Sequence, residues 1–153
     1  ENIYTIKAAL DAGLRVCSGG ILGMGESLDQ RIELADTLRQ LGVESVPLNF
    51  LSPQQGTPFA DRTPMTPMEI LKCIAVFRYM LPRAEIRIAG GRQFLGDMQS
   101  MIFMAGASGV MIGDYLTTKG RQVEDDLKML DDLKLKPRED TQQRRERQSA
   151  PAA

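Results

Sequence analysis

The chain has 153 residues, 19 Lys and Arg against 20 Asp and Glu, and no histidine. That length supports one stable domain and hardly two, and the near-neutral balance gives no whole-chain field to attract nucleic acid or an anionic membrane. Without imidazole, histidine-based acid–base and metal schemes are excluded, leaving thiolate ligation, carboxylate or lysine chemistry, or binding alone.

Apolar runs are broken by charges or glycine within about ten residues, short of the roughly 20 that span a bilayer. Residues 1–20 lack the pattern of a secretory signal. The two cysteines, Cys17 and Cys73, are too few for a disulfide framework and fit reduced thiols in the cytoplasm. The chain opens without methionine inside an amphipathic helix, so an upstream segment is expected. Ile3, Ile6 and Leu10 recur at helical spacing before Gly13, where a left-handed cap ends the helix.

Leu14 and Val16 alternate with Arg15 and Cys17, so a strand is expected to close at Cys17, with that thiol facing away from Leu14 and Val16. The glycine-rich loop Ser18–Glu26 follows at once. Ser27 and Gln30 form a capping box for a helix whose Leu28, Ile32, Ala35, Leu38 and Leu41 mark one face. In the strand Ser45–Phe50, Val46, Leu48 and Phe50 share one side and leave Ser45, Pro47 and Asn49 on the other. Proline-rich residues 51–66 read as a long binding loop or lid.

Thr66, Pro67 and Glu69 start a third helix with Ile70, Cys73, Ile74, Phe77 and Leu81 inward, so Cys73 reads as core. A strand at Glu85–Ala89 runs into Gly90-Gly91-Arg92, and a helix capped by Asp97 is expected to pass through Met101 and Ala105. Gly109–Gly113 reads as a buried parallel strand. The last helix, Gln122–Leu133, is expected to turn Val123, Leu127 and Leu130 inward, with Glu124, Asp125 and Asp126 in its first turn, where the dipole favours them. Residues 136–153 are polar and mixed in charge, and read as a disordered tail after a domain spanning 1–135.

Four strand–helix units predict an α/β chain with a parallel sheet. Two architectures fit: the second half of a TIM-type (β/α) barrel with open edges, or a small doubly wound sheet complete in itself. Taken singly, Cys17 reads as a structural thiol, Asn49 as a backbone-bonding loop residue, Arg92 as a surface charge and the glycine loop as a turn.

The order of four motifs changes that reading. Val16-Cys17-Ser18-Gly19-Gly20-Ile21 with Gly23, Gly25 and Glu26, Ser45–Leu51 with Gly56-Thr57-Pro58, Arg87–Arg92, and Phe103–Ala107 resemble, in sequence order, the carboxyl-terminal half of the biotin synthases. The resemblance covers roughly residues 1–135. It implies a radical S-adenosylmethionine enzyme on a TIM-type barrel, typically a homodimer, that inserts sulfur into dethiobiotin. It also implies a 4Fe-4S cluster held by a CxxxCxxC loop to cleave S-adenosylmethionine, a deeper 2Fe-2S cluster held by three cysteines and an arginine to donate sulfur, and a low-potential reductant such as flavodoxin.

Carried over by residue, the resemblance makes Cys17 and Arg92 ligands of the 2Fe-2S cluster, Asn49 a contact to the ureido ring of dethiobiotin, and Ile21 with its loop a neighbour of the S-adenosylmethionine adenine. CxxxCxxC and the two other cluster cysteines are absent, and Gln93 stands where the family commonly has an acid. The chain is therefore expected to be inactive alone. The rivals are another radical S-adenosylmethionine barrel and a non-catalytic half-barrel that binds a partner.

Overall fold

The computed structural model describes residues 2–115 and 119–137; the expected tail beyond 137 lies outside them. The elements in chain order are α1 (Asn2–Asp11), β1 (Gly20–Leu22), α2 (Leu28–Gln40), β2 (Ser45–Phe50), α3 (Pro67–Met80), β3 (Glu85–Ile88), a 3-10 segment (Arg92–Met98), α4 (Met101–Met104), β4 (Gly109–Val110) and α5 (Val123–Asp132).

Local chemistry sets most of these boundaries. α1 ends in a Schellman turn, with Leu14 N donating to Ala9 O and Gly13 N to Leu10 O while Gly13 sits at φ +76°. α2 ends the same way at Gly42 and Val43. The expected capping box of Ser27 with Gln30 is present, and at the expected start of α3 Thr66 forms a second one with Glu69.

The strands pair in parallel in the order β1-β2-β3-β4. Each crossover therefore steps one place in the same direction. A doubly wound sheet reverses direction at a switch point, whereas a barrel never does, so the architecture is half of a TIM-type barrel. The core lies on one side of the sheet, where Leu22, Val46, Leu48, Phe50, Ile86 and Ile88 are buried with Ala35, Leu38, Ile70, Ile74 and Phe77 of the helices.

Four expectations change. Cys17 opens the first strand rather than closing it: it bridges Ser45, and the same register continues as Gly20 opposite Leu48. The ladder is interrupted between them because Pro47, opposite Gly19, has no N–H to donate, while Leu14 projects outward, 62% exposed. No side chain caps α4, and Asp97 lies within the 3-10 segment, which kinks at Gly96. α5 is rotated from its apolar face: Asp126 and Met129 are buried while Val123 and Leu127 stay exposed. At the amino end of α2, Leu28 and Ile32 are also exposed and line an outer groove with Val76 of α3. Among the described residues no helix is long and apolar enough to cross a membrane.

Candidate functional site

The side of the sheet turned away from the core carries the polar residues in layers. Cys17 lies opposite Ser45 and Ser45 opposite Glu85. Pro47 lies opposite Arg87 and Arg87 opposite Gly109, while Ile21 lies opposite Asn49. Same-face residues along a strand are roughly 6.6 Å apart. Cys17 and Ser45 are therefore at the amino end, and Ile21 and Asn49 roughly 13 Å above them, near the carboxyl end where barrel loops bind ligands.

Arg87 joins the lower layers. Its Nη2 donates to Cys17 Sγ at 3.3 Å and also to Ser45 Oγ. The thiol is exposed and the serine is buried. Gly109 leaves room for the arginine stem, since a Cβ there would stand 3.2 Å from Arg87 Cγ.

Arg92 is elsewhere. Gly91, at φ +83°, turns the chain beyond β3, and Arg92 is 3% exposed. Its Nε donates to Gln99 Oε1 at 2.7 Å, Nη1 to Met111 O at 2.8 Å and Nη2 to Asp126. The resemblance paired Arg92 with Cys17; the structure instead pairs Arg92 with a buried carboxylate of α5 and brings Arg87 to the thiol. The physical reason is that a buried guanidinium requires a charge partner. The same pair accounts for the rotation of α5. Burial raises the nearby Tyr115 hydroxyl, with Asp126 adding to the shift and Arg92 opposing it.

Asn49 Oδ1 accepts from Gly90 N at 2.9 Å, which leaves its NH2 and the oxygen's second lone pair for a ligand. Ile21 is 52% exposed beside it. In the loop above, Glu26 accepts from the amides of Gly23, Met24 and Gly25, so this turn is filled by the chain's own carboxylate and is not an open phosphate cradle. Partial burial alone would raise the Glu26 carboxyl, but the Gly23 amide, its own amide and Arg31 hold it below the usual range.

Cys73 is buried on α3. Burial raises its thiol pKa against the pull of Arg31, so it is not an activated nucleophile. Among the described residues no group of three or more His, Cys, Asp or Glu could hold a metal ion. The groups this chain brings together here are the Cys17 thiol and the Arg87 guanidinium, which as a ligand would have to lose a proton, so they would fit a cluster only with further ligands from outside the chain. Sequence reasoning missed Arg87 and Asp126 as site-forming residues. Strand alternation, which sets Arg87 against Ile86 and Ile88, carried the signal for the first.

Comparison with known proteins gives a consistent result. The model of the Biotin and Thiamin Synthesis associated domain matches residues 47–136. Biotin synthase of Syntrophotalea carbinolica is 55% identical over 136 residues, which are 88% of this chain and 42% of that protein. Biotin synthase of Geotalea daltonii is 57% identical, covering 88% and 41%, and that of Geobacter sulfurreducens is 54% identical, covering 91% and 43%. The chain thus spans less than half the length of these curated relatives. The crystal structure of methylornithine synthase superposes with a TM-score of 0.70 at 21% identity, over 90% of this chain and 44% of that one, a likeness of fold. From the match over residues 47–136 and these identities, the chain belongs to the Biotin and Thiamin Synthesis associated domain family and corresponds to the carboxyl-terminal half of biotin synthase.

Proposed function

We propose that this chain supplies the sulfur-donor and substrate side of a biotin synthase, acting with an amino-terminal half that carries the remaining cluster ligands. The contact of Arg87 with the exposed Cys17 thiol carries this reading. It sets a soft iron ligand beside a guanidinium at the deep end of the open face, with Asn49 and Ile21 in the layer above. In this reading Cys17 and Arg87, rather than Arg92, are the 2Fe-2S ligands from this chain. When bound, the 2Fe-2S cluster supplies the sulfur atom, and the 4Fe-4S cluster with S-adenosylmethionine supplies the radical chemistry.

The chain's own residues then have distinct tasks. Cys17 ligates through its thiolate, and Arg87, held by Ser45, presents its guanidinium beside the thiol. Asn49 hydrogen-bonds the ureido ring of dethiobiotin, and Ile21 packs against the adenine. The working form is a cytoplasmic homodimer supplied with electrons by a flavodoxin-type donor.

Anaerobic iron and sulfide reconstitution tests this, using the chain alone and mixed with a separately made amino-terminal half, read by visible spectra and biotin formation from dethiobiotin. Cluster absorbance and biotin in the mixture only is the expected result. Absence of both from a stable complex of the two halves would overturn the reading.

A further inference from the structure

The glycine-rich loop after β1 is held by its own last residue and by an arginine outside it. Glu26 folds its carboxylate onto the loop, accepting from Gly23 N at 2.7 Å, Met24 N at 2.8 Å and Gly25 N at 3.1 Å. Consecutive amides converging in this way form an anion-binding nest. Arg31, in the first turns of α2, grips the same carboxylate through Nε at 2.7 Å. Its Nη1 donates onward to Cys73 Sγ of α3 at 3.3 Å, so one planar guanidinium ties the loop to two core helices.

The pair is well sheltered, with side-chain exposures of 14% for Arg31 and 19% for Glu26. This sets it apart from exposed ion pairs that contribute little, and the fork geometry of arginine gives it a fixed orientation that a lysine would lack. The loop itself has little intrinsic order: Gly23 and Gly25 sit at φ +92° and +114°, and glycine pays the largest conformational entropy when held in one state.

We propose that Arg31 is a positioning residue for the cofactor-facing loop: by clamping Glu26 in the amide nest, it presets residues 21–25 for the nucleoside part of S-adenosylmethionine. The inference rests on the function proposed above. Arg31 acts through Glu26 on the loop that begins where β1, which carries Ile21 opposite Asn49, ends. Without the clamp, ordering of the loop is paid on binding, so affinity falls while the chemical step is spared.

The test uses the complete enzyme containing this chain, as Arg31→Met, Arg31→Lys and the unmutated protein. Arg31→Met is expected to raise KM for S-adenosylmethionine about tenfold with kcat within about twofold, to leave cluster absorbance unchanged, and to speed amide hydrogen exchange in residues 20–26. Arg31→Lys, which keeps the charge without the fork, recovers part of both effects. Unchanged KM and exchange in Arg31→Met would overturn the proposal, as would a loss of kcat and cluster content at constant KM. If the unmutated enzyme shows no dependence on S-adenosylmethionine, the functional reading falls, and exchange at residues 20–26 in the 153-residue chain then decides the clamp by itself.

Discussion

The guanidinium of Arg87 reaches across β2 to lie 3.3 Å from the sulfur of Cys17, seventy residues away in the chain. Ser45, between them in the sheet, accepts from the same nitrogen, so the arginine is oriented before any ligand arrives. In the assembled enzyme, Cys17→Ala is expected to abolish 2Fe-2S absorbance while S-adenosylmethionine cleavage persists. Arg87→Met is expected to keep the absorbance with a shifted spectrum, because a thiolate contributes more to holding iron than an arginine, whose guanidinium would have to give up a proton to ligate. Visible spectra with iron and sulfide analysis decide this, and full 2Fe-2S content in Cys17→Ala would remove Cys17 from the ligand set.

Arg92 calls for the opposite signature. Removing one member of a buried ion pair costs about 3–5 kcal/mol, because the other charge is left without compensation. Here that charge is Asp126, whose second oxygen already has no partner among the described residues; Arg121 Nη1, at 3.7 Å, offers partial relief. Arg92→Met is therefore expected to lower stability to urea at the low end of that range, and Arg92→Met with Asp126→Leu to recover much of the loss. Loss of the 2Fe-2S spectrum in Arg92→Met under conditions where the protein stays folded would return Arg92 to the cluster.

Two glycines separate close approach from backbone strain. A Cβ at Gly19 would lie 1.9 Å from the carbonyl oxygen of Pro47, so Gly19→Ala must push β1 away from β2 beside Cys17 and is expected to cost more than about 3 kcal/mol. Gly13 has open space around it but sits at φ +76°, so Gly13→Ala carries only the left-handed penalty, about 1–2 kcal/mol. Equilibrium unfolding of both variants checks the order; equal losses would contradict the strand contact.

The Glu26 clamp predicts a pH dependence. The folded carboxyl lies below its usual range because hydrogen bonds and Arg31 outweigh the effect of burial. Its contribution is thus complete above the unfolded glutamate value of about 4.3 and is lost as the pH falls through the depressed folded value. Glu26→Gln should flatten the acid limb of the stability curve below about pH 4.3, measured by denaturant unfolding from pH 6 downward. An acid limb identical to that of the unmutated chain would show that Glu26 is not held as described.

What was legible in the sequence acts over a few residues. The capping box at Ser27, the helix start at Thr66, the glycine stops at Gly13 and Gly42, the inward face of α3 with Cys73, and the alternation that sets Asn49 opposite in sense to Leu48 all follow from hydrogen bonds and side-chain directions fixed locally. The motif order was equally legible, and with it the family. The tertiary structure decided where the first strand begins, because the register of Cys17 depends on Ser45 and on the missing N–H of Pro47. It also decided which arginine meets the thiol and which face α5 buries. The place of Arg92 and the buried face of α5 turn on one buried pair, Arg92 with Asp126, thirty-four residues apart: a desolvated charge takes its partner wherever the fold provides one, and helical periodicity in hydrophobicity holds no record of that choice.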